Sequence, residues 1–281
     1  MQDAIVSTNH AISRWVRWLV PVVAALVITA WLAIAPEGAL GKLDAIGYAV
    51  CHRIDARSFH VDGRQLPLCA RCTGEFAAAA VAILFQCVRS GRATRFPNAR
   101  VLGVFGVLVA VFAVDGLNSL MSLVGETSGA TGAGPLLYEP NNTLRLLTGS
   151  GMGIAMAGVL YPAVSQSLWR SADSRRTLTW RSLGALVLLV VAMDGLILSE
   201  QPVLLYSAGI LSALGVLGLL VMVFGVLWVT MTGQESSFDR IRDLWLPACS
   251  GLTLALLLIV SIDLLRYKMT GTWGGFPGLT G

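Results

Sequence analysis

The sequence predicts an all-α fold, a polytopic transmembrane helical bundle of about seven spans with a Cys/His-containing extracytoplasmic loop. Three observations predict it. The first is composition: of 281 residues, 55% are hydrophobic and 13% charged, and the mean hydropathy is +0.72. A soluble domain is roughly 25% charged, so this chain lacks the polar supply to cover a surface in water. Disorder requires the opposite balance, low hydrophobicity with high charge. The second is a recurrence of apolar runs of about 17–25 residues, the length that crosses a bilayer as a helix. The third is the placement of arginines in short loops between those runs. The net charge of +4 therefore follows membrane topology, with the lipid bilayer as partner and no nucleic-acid surface.

Taken in order, the candidate spans are 18–35, 73–88, 101–124, 143–164, 183–199, 203–231 and 246–265. Ala33-Ile34-Ala35 resembles a signal-peptidase site, but Pro36 follows at once and the apolar core is longer than an h-region, so the first run is read as a retained span. The second is short, with Gln86 and Cys87 near its end, and the sixth is long enough to tilt. The loop 89–100 carries Arg89, Arg92, Arg95 and Arg100 without an acid, and 165–182 carries Arg170, Arg175, Arg176 and Arg181 against Asp173. The positive-inside rule makes both cytoplasmic. Alternation then puts the N-terminus inside, in agreement with Arg14 and Arg17, and puts 36–72, 125–142 and 200–202 outside. No transit peptide is visible, so the expected home is the cytoplasmic (inner) membrane of a prokaryote.

The 36–72 loop and the start of the second span carry the chemistry. Cys51-His52 is followed by Arg57, Ser58 and Phe59, and then by Gln65, Pro67, Cys69-Ala70-Arg71-Cys72 and Thr73-Gly74. The C-x-x-C pair can aim two thiolates at one ion, and Cys51 with His52, or with His60 as the alternative ligand, completes a Cys3His set. Sulfur and imidazole favour Zn2+, with iron or copper compatible. A c-type haem is disfavoured because Thr73 stands where histidine is needed. Two other readings stay open: a redox-active Cys69/Cys72 pair and a structural disulfide from Cys51 to Cys69 or Cys72. Cys87 and Cys249 are read as packing residues.

Together the run from Cys51 to Gly74 and a second block, Asp115-Gly116 with Asn141-Asn142-Thr143-Leu144-Arg145-Leu146-Leu147-Thr148-Gly149, resemble the DUF2085 family of predicted membrane proteins. The resemblance covers about residues 40–160. It implies that Cys51, His52, Arg57, Gln65, Cys69, Arg71, Cys72, Asp115, Asn142 and Arg145 belong to one site, and it implies no activity. The chain thus divides into a DUF2085-like membrane region (1–160), further transmembrane helices (161–269) and a flexible tail (270–281), from which Trp273 and Phe276 can rest at the interface.

Topology groups the same residues independently. Asp115, Asn118, Ser119 and Ser122 form a polar stripe on the third span, and Asn141, Asn142, Arg145 and Thr148 lie at the start of the fourth. An ionisable residue within a span marks a functional site with a partner to be named. The expected pair is Asp115 with Arg145, as catalytic or binding groups or as a buried ion pair that only fixes packing. Residues 111–117 resemble 190–196, and Asp194 and Asp263 resemble Asp115 in depth, which suggests a repeat of spans three and four. Gly149, Gly153 and Ala157 form a small-residue seam for close helix packing and not a phosphate loop.

Three classes of function follow. One is an outward Cys/His metal site above the polar cluster, with Arg57, Arg71 and Arg145 holding an anionic or lipid-linked small molecule and Asp115 as base. The second is an extracytoplasmic thiol-disulfide protein using Cys69 and Cys72. The third is a non-catalytic subunit or scaffold docking on a membrane-protein partner or a second copy. A carrier is a weaker fourth class, since broken helices are not evident.

Overall fold

In the computed structural model, residues 14–128, 137–171 and 173–274 are described, apart from the side chains of Arg14 and residues 126–128. The described residues form eight helices. Seven of them are long and apolar enough to cross a membrane. They are α1 (Arg14–Ile34), α3 (Ala70–Ser90), α4 (Ala99–Ser128), α5 (Asn142–Leu168), α6 (Trp180–Leu198), α7 (Pro202–Met231) and α8 (Trp245–Thr270). The remaining helix, α2 (Gly38–Val50), has 13 residues, too few to span. It lies within what the sequence reads as loop.

Local chemistry sets several of the boundaries. Asn141 caps α5 by accepting from the Leu144 N–H at 2.9 Å. Thr179 and Ser182 form a reciprocal capping box on α6. Pro202 opens α7, where its missing N–H costs no helical bond. Gly271 closes α8 in the left-handed conformation (φ 69°). The second span runs over 70–90 rather than 73–88, because Gln86 stays helical and buried, donating to the carbonyls of Ala82 and Ala157.

Helix α3 sits at the centre, packed against α5 and α7. Ala77, Ala78, Ala79 and Ala82 are fully buried. The expected small-residue seam is present, and it is used for backbone-to-backbone approach. A methyl group at Gly149 would run into the Arg71 carbonyl, and one at Gly153 into the Glu75 carbonyl. On the other side, a methyl at Gly215 of α7 would strike the Phe76 carbonyl. Small residues let helices approach this closely when no hydrophobic drive separates lipid from protein. Two neighbouring helices therefore grip the first turns of α3. By contrast α1 presents Trp15, Trp18, Leu19 and Leu26 outward, as a lipid-facing helix does.

The loops collect at two ends. At one, the strands β1 (His60–Val61) and β2 (Arg64–Gln65) form a hairpin whose Asp62-Gly63 turn has φ of 52° and 76°, the two positive values of a type I′ turn. Phe59, Val61 and Leu66 of this segment pack on Leu146, Ile197, Leu205 and Ala208. At the other end, β3 (Ala93–Arg95) pairs in parallel with β4 (Asp173–Arg176), and Trp169 bridges to Phe238. Arg92 stacks over Trp169 at 4.7 Å.

Two details of the periphery stand out. The Trp273 ring lies 5.3 Å from Tyr48 and 5.5 Å from Tyr267, and its carbonyl accepts from Arg53 at 3.0 Å. Residues 271–274 are thus docked against α2, while Phe276 and the rest of the expected flexible tail lie outside the described residues. Cys87 is exposed rather than packed, and Cys249 is half-buried.

Candidate metal centre

Cys69 is the residue just before α3 and Cys72 lies in its first turn, so both side chains share one face of the helix start. Cys51 ends α2 in extended conformation (φ −130°). The three Sγ atoms lie within 4.8 Å of one another. A tetrahedral zinc site with Zn–S of about 2.3 Å puts its sulfurs roughly 3.8 Å apart, so the residues fit such an ion with a small contraction. Cys51 Sγ accepts backbone N–H groups from Arg53 and Cys69, each at 3.4 Å, which fixes its position beside the other two sulfurs.

The thiols share charge unequally. Hydrogen bonds from Cys51 and Cys72, helped by the Arg71 guanidinium, hold Cys69 well below the usual thiol range. Its partner Cys51 is pushed up to about 12, chiefly by the hydrogen bond to Cys69 and by burial. The cluster thus favours one thiolate, on Cys69. All three thiols are free.

Neither expected histidine joins the sulfurs. His52 is exposed; it lines the same cavity as the three cysteines but is not in the group whose ligand atoms converge. His60 lies on the exposed side of β1, where its Nε2 is 2.9 Å from Asp55 Oδ1. The described residues that could hold an ion in one group here are therefore the three cysteines.

The polar cluster is also arranged differently from expectation. Asp115 pairs with Arg71, not with Arg145. Arg71 Nε donates to Asp115 Oδ2 at 2.9 Å, and its Nη2 reaches the same oxygen, the Asp115 carbonyl at 3.1 Å and Ser119 Oγ at 2.8 Å. Arg71 reaches Asp115 from the first turn of α3, which faces α4 at this level. Arg145 instead donates to Asn142 Oδ1, one helical turn away, at 2.9 Å. Asp115 is 1% exposed, and it also accepts from Tyr138 (2.6 Å) and Thr148 (3.2 Å). With both oxygens accepting, this carboxylate is committed to Arg71, Tyr138 and Thr148. Burial and the hydrogen bond to Asp115 raise the Tyr138 phenol to about 12.

The remaining predicted residues form a second chain of contacts. Gln65 Nε2 donates to Ser58 Oγ at 2.7 Å, and Asn142 Nδ2 to the Ser58 carbonyl at 3.4 Å. Asn118 ties down residues 137 and 138 through the Leu137 N–H and the Tyr138 carbonyl. Asn141 is the α5 cap and does not enter the cavity. The repeat-related Asp194 has other surroundings, accepting from Ser150 at 2.7 Å.

A cavity of about 240 Å³ joins these features. Its lining includes the three cysteines together with Arg53, Arg57, Arg71 and Arg145, while Gly116, Leu120 and Leu123 of α4 give it an apolar wall. Arg53 is held by Asp44 at 3.0 Å. Arg145 is buried, and its Nε has no hydrogen-bond partner among the described residues.

One supporting residue escapes the sequence reading. Arg266, on the last helix, donates to the carbonyls of Tyr48 and Cys51 (2.5 Å each) and His52 (3.0 Å), with its guanidinium 3.9 Å from the Tyr48 ring. It fixes the backbone that carries Cys51. An arginine inside an apolar span, three residues after Asp263, is a signal of function or partnership, but nothing local names its partner 215 residues away.

Comparison with known proteins places the matching region on this site. The family model described as predicted membrane protein (DUF2085) matches residues 51–159. An uncharacterized protein of Methanothermobacter thermautotrophicus is 30% identical over 108 residues, which cover 38% of this chain and 81% of that relative. No solved structure matches. The matched stretch holds all three cysteines, Arg71, Asp115 and Arg145, whereas Arg266 comes from outside it. The chain belongs to the DUF2085 family of predicted membrane proteins.

Proposed function

We propose that this protein is a membrane metalloprotein in which Cys51, Cys69 and Cys72 hold a thiophilic ion, zinc in first place, at the wall of an arginine-lined cavity that receives an anionic group. The observation that carries the reading is the convergence of three thiols from two separate segments, with their sulfurs within 4.8 Å of one another beside that cavity. Zinc held by three protein ligands keeps a fourth position open and supplies Lewis-acid polarisation of an acyl or phosphoryl oxygen.

The protein's own groups divide the remaining work. Arg57 and Arg145 face the cavity and hold the anion, whereas Arg71 is committed to Asp115 and fixes α3 against α4. Leu120 and Leu123 give an attached apolar chain a surface to follow, which supports a lipid-linked anion. The arginine-rich loops at the opposite end support an orientation with the thiols outside the cytoplasmic membrane of a prokaryote.

A thiol-disulfide reading is favoured by one observation, the lowered Cys69 thiol beside two further sulfurs. Metal analysis separates the two. The full chain, purified in detergent, is expected to hold about one zinc per chain by elemental mass spectrometry, lost in Cys51→Ser and Cys69→Ser. Metal-free protein in which two of these thiols form a reversibly reducible disulfide would overturn the metal reading in favour of redox chemistry.

A further inference from the structure

We propose that the end of the bundle opposite the thiols carries a second binding site, for an anionic membrane phospholipid. The headgroup occupies a basic cavity between the ends of α3 and α6, and an acyl chain follows the apolar groove that continues from it.

The cavity measures about 690 Å³ and is lined by Arg89, Arg175, Arg176 and Arg181. Asp173 neutralises Arg175 at 2.6 Å. Among the described residues no carboxylate lies within ion-pair distance of Arg89, Arg176 or Arg181. Three unmatched cations around one cavity suit an anion bearing several oxygens. Thr177 also lines the cavity, is 2% exposed, and its Oγ1 has no hydrogen-bond partner among the described residues. A buried hydroxyl without a partner is uncommon, and a phosphate oxygen supplies the missing acceptor. The positive end of the α6 dipole adds to the same field.

Charge alone does not select a lipid; the neighbouring groove does. It has a volume of about 370 Å³ and an apolar lining, with Val81, Leu84 and Val88 from α3 and Leu189 and Met193 from α6. Phe85 and Arg89 belong to both the groove and the basic cavity, so the two are contiguous. From Arg89 to Val81 the groove follows α3 for about 12 Å. Leu84 and Val88 are 66% and 82% exposed, which leaves their surfaces for a tail to cover. A basic pocket leading into an apolar slot matches a phosphate headgroup with its chain, whereas a free phosphate uses only the first half.

The test is native mass spectrometry of the full chain in detergent with phosphatidylglycerol, phosphatidylcholine or soluble glycerol phosphate. Phosphatidylglycerol is expected to bind at least about tenfold more than either of the other two, with affinity falling roughly fivefold for each arginine removed from Arg89→Ala/Arg176→Ala/Arg181→Ala. Arg95→Ala/Arg100→Ala/Arg242→Ala, which removes the same charge from the same end outside the cavity, is expected to leave binding within about twofold. Met193→Trp, which fills the groove, should weaken the lipid and leave glycerol phosphate unchanged. Melting temperatures close to the parent's show that the variants remain folded. Equal binding of the two lipids, equal loss in the control triple variant, or glycerol phosphate bound as tightly as the lipid would each overturn the proposal. So would a protein partner that occupies the groove while phosphatidylglycerol does not bind. Zinc content is unaffected by any of these outcomes, so the two sites fail or stand separately.

Discussion

Removing the Asp115 carboxylate should destabilise the bundle by about 3–5 kcal/mol, the cost of breaking a buried ion pair at one partner. In Asp115→Ala, Arg71 retains Ser119 and the residue-115 carbonyl, while its charge, whose side chain is only 18% exposed, loses its counter-ion. Tyr138 and Thr148 lose an acceptor at the same time. Neutral hydrogen bonds between membrane helices average only about 0.6 kcal/mol each, so most of the loss is the stranded guanidinium. Arg71→Met/Asp115→Leu removes both charges with similar volume and should recover most of the stability, because replacing a buried pair by apolar residues is often neutral. Reversible unfolding of the detergent-solubilised protein in sodium dodecyl sulfate, arranged as a double-mutant cycle, measures the coupling. Additive single-variant losses, or a cost below about 1 kcal/mol for Asp115→Ala, would refute the argument that this pair clamps α3 to α4. Because Arg71 stands between Cys69 and Cys72, the single variant should also lower metal retention.

Three further outcomes are expected. Gly149→Ala and Gly153→Ala each push a methyl into an α3 carbonyl and should cost about 1–3 kcal/mol; Gly103→Ala and Gly184→Ala, where nothing lies within 4 Å, should be neutral or stabilising in the same unfolding assay. Arg266→Met frees the carbonyls of Tyr48, Cys51 and His52 and should speed alkylation of Cys51 by at least about tenfold, a local opening of roughly 1.4 kcal/mol. Arg266→Lys should give only partial rescue, since a point charge cannot reproduce the planar fork. In an ultraviolet pH titration, Tyr138 should ionise at about 12 when folded, and Tyr138→Phe should remove that late phase. Its folded value lies above the unfolded value of 10.0. The contribution of its bond to Asp115 is therefore full below pH 10 and fades as the pH rises towards 12.

How much was legible varied with the range of the interaction. Hydropathy located the seven spanning helices, because in lipid every backbone group must be satisfied within its own helix and long apolar runs have no alternative. The short α2 escaped because 13 residues carrying Lys42 and Asp44 look like a loop until the faces they pack on are known. The C-x-x-C spacing announced a thiol pair, and Cys51 was rightly grouped with it. The histidines were not separable by sequence, since His60 is drawn to Asp55 by the hairpin and His52 lines the cavity without joining the sulfur group, both outcomes of tertiary placement. The sequence pointed to Arg145 as the partner of Asp115, whereas Asp115 pairs with Arg71, because helix rotation decides which arginine reaches the carboxylate.

The sequence by itself determined that this is a helical membrane protein, which runs cross, where arginines gather and that three cysteines are available at one end. Those properties depend on composition and on spacings within a helix or a tight turn. The tertiary structure decided which groups meet: the sulfur triad without histidine, the Arg71–Asp115 clamp, and Arg266 reaching back over more than two hundred residues to hold the Cys51 backbone. Such contacts depend on helix rotation and on ångström-scale approach set by glycines on the facing helices, and no local pattern encodes either.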